Sequence, residues 1–275
     1  MSQPDDLEEL VAAVQAGAHY RAIDTGLVRR LGAQELAKGR PFKAAVKATR
    51  NKLHQVGGAY QEGGIDYPRG LARLESLPGN LGDLGLRTFC QEMMQQHAST
   101  RERLPYLEDF YAAVFDGLPP VSSLLDLACG LNPLARPWMP LAPQAVYTAC
   151  DIYTDLAAFL NRFFAHSGQP GSAGVCDLTR QVPQAAVQVA LLLKTIPCLE
   201  QVDKDIAARL LDGIAANVLV VSFPARSLGG RSKGMLQNYA AHFMDLLAGR
   251  EWAVRRLVFP TELVFVVRKP GRGAP

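Results

Sequence analysis

Two acidic residues and one lysine stand where short apolar runs end, and that placement is the first sign of chemistry in the chain. Leu124-Leu125-Asp126-Leu127 leads into Ala128-Cys129-Gly130-Leu131-Asn132-Pro133, a strand followed by a turn of small residues that lets a ligand approach the backbone. Asp151, 21 residues beyond Gly130, ends the next strand-like run, where a carboxylate can accept hydrogen bonds from both ribose hydroxyls of a nucleoside. The spacing serves nicotinamide dinucleotides and S-adenosylmethionine alike. GxGxxG is missing, however, and no glycine-rich helix start follows for a pyrophosphate, so a cofactor without phosphate fits better. Asp177, 26 residues after Asp151, closes a third run, where it can accept from an adenine amino group or cap a turn.

The fourth run, Val189-Ala190-Leu191-Leu192-Leu193-Lys194, opens with a lysine onto the same cleft. Such a charge either meets a ligand or snorkels off the strand end. The Asp/Asn-Pro-Pro-Tyr/Phe turn that binds exocyclic amines in amino methylases is absent, because Thr195-Ile196-Pro197-Cys198-Leu199-Glu200 follows. Pro197-Cys198 matches the arrangement in which a cysteine attacks cytosine C6 before C5 methylation; a buried, inert thiol is the competing assignment. Ser222 to Met235 is glycine-rich and carries Arg226, Arg231 and Lys233 without an acid, which suits an RNA backbone, with Phe223 or Tyr239 as a stacking face.

A second concentration of charge lies near the N-terminus. Arg21, Arg29, Arg30, Lys38, Arg40, Lys43, Lys47, Arg50 and Lys52 are opposed only by Asp24 and Glu35, whereas the whole chain carries +3. Lys43, Lys47, Arg50 and His54 share one side of a helix predicted to begin near Phe42, a stripe that can track phosphates or simply face solvent.

The elements that must hold these residues follow from periodicity. Leu7, Leu10, Val11 and Val14, and then Phe42, Ala45, Val46, Thr49 and Leu53, recur at helical spacing. Gly57-Gly58, Gly63-Gly64, Pro68 and Pro78-Gly79-Asn80 break the pattern, and Ser99 or Thr100 is placed to cap a helix from Arg101 to about Gly117. From Ser122 strands alternate with helices: strands at 124–127, 145–151, 172–177, 187–194 and 217–223, helices at 154–167, 203–216 and 235–248. Strands at 252–259 and 261–268, separated by Pro260, suit a terminal antiparallel hairpin. The expected architecture is α/β: a Rossmann-like, doubly wound, mostly parallel seven-stranded sheet preceded by a helical domain, with residues 1–95 as the basic helical part and 96–275 as the part that carries the sheet.

Composition excludes other classes. The 275 residues are 48% hydrophobic and 20% charged, neither disordered nor fibrous, and no uncharged stretch reaches the ~18 apolar residues of a membrane span. The acidic start, Asp5-Asp6 with Glu8-Glu9, is no secretory signal, so a cytoplasmic protein is expected. Five cysteines without a CxxC pair predict neither disulfides nor a metal site.

Taken together, Gln96-His97-Ala98-Ser99-Thr100-Arg101-Glu102-Arg103-Leu104, Leu127 to Leu134, Leu191 to Lys194 and Ser222 to Met235 resemble the aminoglycoside-resistance methyltransferases that modify N7 of a decoding-site guanine in 16S ribosomal RNA. The likeness runs from about Tyr20 to the C-terminus. It implies an S-adenosylmethionine-dependent methyltransferase domain and a helical domain that docks on the assembled 30S subunit, with a monomer expected and no membrane or metal. It further implies Ser99, Thr100 and Arg101 with the Ala128/Gly130 turn at the methionine part, Asp151 with Ile152 at the ribose, and Asp177 with Leu178 at the adenine. Leu199 and Glu200 would complete the cofactor site. Lys194 and Arg231 would position the target nucleotide, while Arg21, Arg29, Arg30, Lys43, Lys47, Arg50, Lys52, Arg226 and Lys233 would contact RNA. Two alternatives stay open: an RNA cytosine-C5 methyltransferase using Cys198, and a non-catalytic ribosome-binding factor.

Overall fold

The computed structural model describes residues 4–57, 64–225 and 234–270. Three helices open the chain, α1 (Pro4–Gln15), α2 (Thr25–Leu36) and α3 (Phe42–Val56). Asp24 caps α2 by accepting from Leu27 N at 2.9 Å, and each helix turns its apolar stripe inward, with Leu10, Val14, Leu27, Leu31 and Leu53 fully buried. Next come α4 (Tyr67–Glu75) and α5 (Leu84–Met94), capped in the same manner by Asp66 and Asp83.

The predicted helix from Arg101 to Gly117 is instead three pieces: α6 (Ala98–Arg101), a 3-10 turn at Leu104–Tyr106 and α7 (Leu107–Phe115). Pro105, which has no N–H to donate, sits in the 3-10 turn between the two α-segments. The cap is His97 rather than Ser99 or Thr100, whose side chains are buried.

The remaining elements are β1 (Val121–Leu127), a 3-10 helix (Asn132–Trp138), β2 (Leu141–Asp151), α8 (Thr154–Ser167), β3 (Gly171–Val175), β4 (Val187–Leu193), α9 (Ile196–Leu199), α10 (Ile206–Gly213), β5 (Ala216–Pro224), α11 (Met235–Leu247), β6 (Ala253–Phe259) and β7 (Glu262–Arg268). They form one seven-stranded sheet in the order β3-β2-β1-β4-β5-β7-β6. The five strands from β3 to β5 are parallel, and the β6–β7 hairpin joins β5 antiparallel through β7. Alternate residues feed two cores: Leu124, Val189 and Leu191 face α8 and the N-terminal helices, whereas Leu125, Ala190 and Leu192 face α10 and α11. No described helix is long and apolar enough to cross a membrane.

The chain reverses its winding between β1 and β4, which leaves a crevice at their C-terminal ends. The helical layer meets the sheet at this edge. Asp24 N donates to Ile152 O at 2.9 Å, Thr154 N to Ala22 O at 2.8 Å, and Ile23 forms a bridge with Tyr153. Helices α4 and α5 pack on α8 and the 3-10 helix, so one apolar core is continuous from the first helices to the sheet.

Candidate functional site

The crevice is a cleft lined from five directions: Val56-Gly57 at the end of α3, Ser99-Thr100 on α6, the turn after β1, Asp151 to Tyr153 after β2, and Cys176 to Thr179 after β3, with Leu193, Lys194, Thr195, Cys198 and Leu199 closing the floor. Among the described residues, two non-glycine positions have positive φ, Ala128 (51°) and Lys194 (58°), and both line it. Left-handed backbone costs an L-residue roughly 1–3 kcal/mol and persists where surrounding structure imposes it. Gly130 (φ 48°) completes the turn; a Cβ there would stand 2.8 Å from the His97 ring. The histidine of the HxSTRERL string is thereby explained as the packing partner of the glycine turn, and burial lowers its pKa to about 4.

Asp151 joins two strand ends. Its Oδ2 accepts from Gly130 N at 2.8 Å and its Oδ1 from Ile152 N at 2.6 Å. Burial pushes its pKa upward against those backbone donors, and the carboxylate keeps lone-pair capacity for hydroxyl donors from a ligand. The chain after the turn enters a 3-10 helix with Pro133 in its first turn, not an α-helix N-terminus. A pyrophosphate would therefore find no row of amide donors there. Val56, Ile152, Leu178 and Leu199 supply apolar walls for a flat ring. The set fits a phosphate-free nucleoside cofactor.

Asp177 lies two residues beyond β3 rather than within it. Its Oδ1 accepts from Thr179 N (3.0 Å) and Thr179 Oγ1 (2.5 Å), a local turn cap, while Oδ2 faces Arg30 Nε (3.0 Å) and Nη2 (2.7 Å). It still lines the cleft.

Lys194 is 1% exposed, and its ammonium meets Glu102 at 2.5 Å and Glu262 at 3.8 Å. Its backbone N–H is held by Ser222 Oγ (3.0 Å) and Ser222 O (3.1 Å). Below it runs a buried ladder that the strand and turn patterns do not reveal. Arg103 grips Glu262 at 2.7 and 3.1 Å and donates to Asn132 Oδ1 at 2.9 Å; Asn132 Nδ2 and Tyr147 Oη donate to Asp126 Oδ2 at 2.8 and 2.7 Å. Ser222 Oγ also donates to Glu262. Burial opposes ionisation of Glu262, but the Arg103 and Lys194 charges prevail and lower its pKa. Burial of Asp126 wins over its two donors and raises its pKa to about 7. A sequence signal exists for both: Asp126 interrupts Leu124-Leu125-Leu127, and Glu262 opens an apolar strand, so each carboxylate needs a partner.

Of the residues expected at the cofactor, Ser99, Thr100, Ala128, Gly130, Asp151, Ile152, Asp177, Leu178 and Leu199 converge on the cleft. Arg101 and Glu200 are not among the lining residues; Glu200 turns away to His242 at 2.8 Å. Arg226, Arg231 and Lys233 fall outside the described residues. Phe223 is fully buried, stacked on Tyr239 at 5.1 Å and edge-on to Phe265, so its ring is core rather than an exposed face.

The basic helices divide. Arg29 pairs with Glu8, Arg30 with Asp177, and Lys38, Arg40 and Lys52 all converge on Glu35. Burial of Glu35 resists its charge, yet hydrogen bonds from Lys38 and Lys52 hold its pKa down at about 2. Arg50 Nη2 donates to Ala13 O at 2.5 Å and its guanidinium lies 5.7 Å from the Tyr20 ring centre. Arg21, Lys43 and Lys47 stay exposed, and they make no ion pair among the described residues. The stripe is therefore shorter than the run of charges suggests, because an internal carboxylate gathers three of the nine.

Comparison with known proteins agrees with this geometry. Residues 16–266 match the family described as Ribosomal RNA methyltransferase (FmrO). A 16S rRNA (guanine(1405)-N(7))-methyltransferase of Micromonospora echinospora is 37% identical over 98% of this chain and 99% of its own length. Another, from Serratia marcescens, is 32% identical over 97% and 100%. Among solved structures, the 16S rRNA methyltransferase RmtF in complex with S-adenosyl-L-homocysteine superposes with a TM-score of 0.80 at 31% identity, covering 98% of this chain and all of that one. The 16S rRNA methylase RmtB gives 0.79 at 28% identity, again covering 98% and 100%. With the small-residue turn, the second-strand acid and a match over nearly the whole chain in agreement, the protein belongs to the FmrO family of ribosomal RNA methyltransferases.

Proposed function

We propose that the protein transfers a methyl group from S-adenosylmethionine to N7 of the decoding-site guanine of 16S rRNA, in the assembled 30S subunit, as a cytoplasmic monomer. The observation that carries this reading is the coincidence of a phosphate-free nucleoside cleft with near full-length similarity to guanine(1405)-N7 methyltransferases. S-adenosylmethionine supplies an electrophilic methyl on a sulfonium. Guanine N7 carries a lone pair and no proton, so no side chain has to act as a base; the enzyme's task is in-line placement near ~3–3.5 Å. The buried ladder serves that task by fixing the floor of the cleft. Lys194 is locked in its left-handed turn by Ser222 and clamped between Glu102 and Glu262, which makes it a positioning group rather than a proton carrier.

Asp151 would hold the ribose, the Ala128/Gly130 turn with Ser99 and Thr100 the methionine part, and Leu178 and Leu199 the purine. Residues 1–95 would form the docking part, with Lys43 and Lys47 as its outward cations; Arg226 and Lys233, which follow β5 in the sequence, would contact the RNA, and Arg231 would help to position the target nucleotide. A methyl on N7 leaves the guanine ring positively charged, which repels cationic aminoglycosides and would confer resistance.

Purified 30S subunits treated with the protein and cofactor should acquire one 7-methylguanine at the decoding site, mapped by chain scission after borohydride reduction. Methylation of a different nucleotide, or none, would overturn the assignment. In calorimetry Asp151→Ala should weaken cofactor binding by at least tenfold, since charge-assisted hydrogen bonds contribute roughly 1.5–3 kcal/mol each. Subunit affinity should hold; unchanged cofactor affinity in the folded variant would remove Asp151 from the site.

A further inference from the structure

We propose that Arg30, on α2, is a positioning residue of the cofactor cleft rather than a phosphate contact. The inference deepens the cofactor reading above and rests on it. Arg30 and Asp177 are 147 residues apart, yet three donor–acceptor contacts join Arg30 to Asp177 and its neighbour: Arg30 Nε and Nη2 to Asp177 Oδ2 at 3.0 and 2.7 Å, and Nη2 to Thr179 Oγ1 at 2.5 Å. Thr179 closes the ring by donating its own N–H and hydroxyl to Asp177 Oδ1.

The Asp177 carboxylate offers about four lone-pair sites, and these four protein donors fill them. Its task is therefore to shape the turn. Arg180 N and Gln181 N both return to Asp177 O, at 3.0 and 3.1 Å, so the segment is a closed turn with its cleft-facing side made of Cys176, Asp177, Leu178 and Thr179. Arg30 joins this ring from outside the segment, and it comes from the helical layer. It is only 26% exposed, against 14% for Asp177. The guanidinium commits its Nε and Nη2 to the turn, whereas Lys43 and Lys47 on α3 present their charges to solvent. The same edge of the layer already supports the neighbouring wall of the cleft through Asp24 N to Ile152 O.

The test separates three quantities for Arg30→Ala, Arg30→Lys and Thr179→Val: the dissociation constant of S-adenosylmethionine by calorimetry, the split between KM for the cofactor and kcat, and the salt dependence of 30S binding. Arg30→Ala should raise the cofactor dissociation constant and KM tenfold or more while kcat at saturating cofactor stays within twofold. Arg30→Lys should recover part of the loss, and Thr179→Val should reproduce it with α2 intact, which keeps the test decisive if the alanine variant folds poorly. The slope of 30S affinity against salt should not move in any of them. Wild-type cofactor affinity in Arg30→Lys and Thr179→Val, or a shallower salt slope in Arg30→Ala with cofactor binding intact, would return Arg30 to RNA contact. Failure of the wild-type protein to bind S-adenosylmethionine would instead overturn the cofactor reading itself, and this inference with it.

Discussion

Beneath the cleft, Arg103, Glu262, Lys194 and Asp126 are all within 1% of complete burial, and each is joined to the next group through hydrogen bonds or ion pairs. On α2 and α3 the cations are exposed or half-buried around one buried carboxylate, Glu35, and whether each is paired depends on whether a carboxylate is within reach. The difference teaches that a count of charges along a chain says little about their purpose. The +7 of residues 21–52 falls to a few outward cations once Glu8, Glu35 and Asp177 have taken their partners. Meanwhile the HxSTRERL string, which reads as a ligand motif, places Glu102 and Arg103 in the protein's own interior network. Buried ions need one another, since an unpaired one leaves an uncompensated charge in low dielectric; exposed pairs contribute little.

The sharpest way to break that comparison is to cut the buried region. Arg103→Ala and Glu262→Ala should each cost about 3–5 kcal/mol of unfolding free energy in urea, because each strands the partner's charge. The double variant should cost clearly less than the sum of the singles, with a coupling of roughly 0.5–3 kcal/mol. Strict additivity would mean that the two groups do not act as a pair, and the ladder would lose its middle rung.

Asp126 sharpens the same point through pH. Its folded-state pKa of about 7 lies above the unfolded value near 3.8, so the native state binds more protons between those limits. Stability from this group is complete at low pH and declines as pH rises from about 4 to 7, by roughly 4 kcal/mol in all. Asp126→Asn abolishes the titration. The stabilities of the two proteins should converge toward pH 4 and separate progressively up to pH 7.5, in favour of the asparagine. Parallel curves would show that Asp126 stays ionised throughout.

The sheet is readable in the sequence because strand runs, apolar periodicity and the Pro260 break are local, and the expected strand limits differ from the observed ones by only a few residues for β1, β4, β5 and the hairpin. The broken helix at 98–115 is not legible in the same way, although Pro105 is visible, because proline is tolerated in a first helical turn and local signals alone do not decide between a start and a break. In the site, the residues at strand ends are legible through spacing. Arg30's attachment to Asp177, that of Lys52 to Glu35 and the role of Glu262 are not, since each depends on elements brought together across 17 to 159 residues. A lone charge inside an apolar run is the local trace such networks leave, and Asp126 carries it.

For the outer helices the expected effect is smaller and depends on salt. Neutralising Lys43 and Lys47 together should lower 30S affinity and flatten its log–log dependence on salt by up to roughly 0.7–0.9 for each phosphate that is no longer neutralised. Adding Arg50→Gln should change the slope little further, since its guanidinium already serves Ala13 O and Tyr20. Filter binding across a salt series reads both. A slope unmoved by the double variant would make the stripe a solvated face, and a further drop on losing Arg50 would show that Arg50 leaves its internal partners to meet RNA.

The smallest effect belongs to a residue between the two regions, Cys198, which lines the cleft floor and is 8% exposed. Its Sγ lies 3.9 Å from Lys194 O, a weak hydrogen bond to the carbonyl of the left-handed turn. N7 attack forms no bond between enzyme and base, so Cys198→Ala should keep turnover within about twofold, the removed sulfur leaving only a small void beside a turn that Ser222 holds independently. Cytosine-C5 chemistry makes the opposite demand, because there the thiolate must add to the base before the methyl moves. Loss of all turnover in a folded, cofactor-binding Cys198→Ala protein, or a covalent adduct with 5-fluorocytidine RNA, would place a nucleophile on the cleft floor. Lys194 and its ladder would then be serving a covalent mechanism instead of positioning a lone pair.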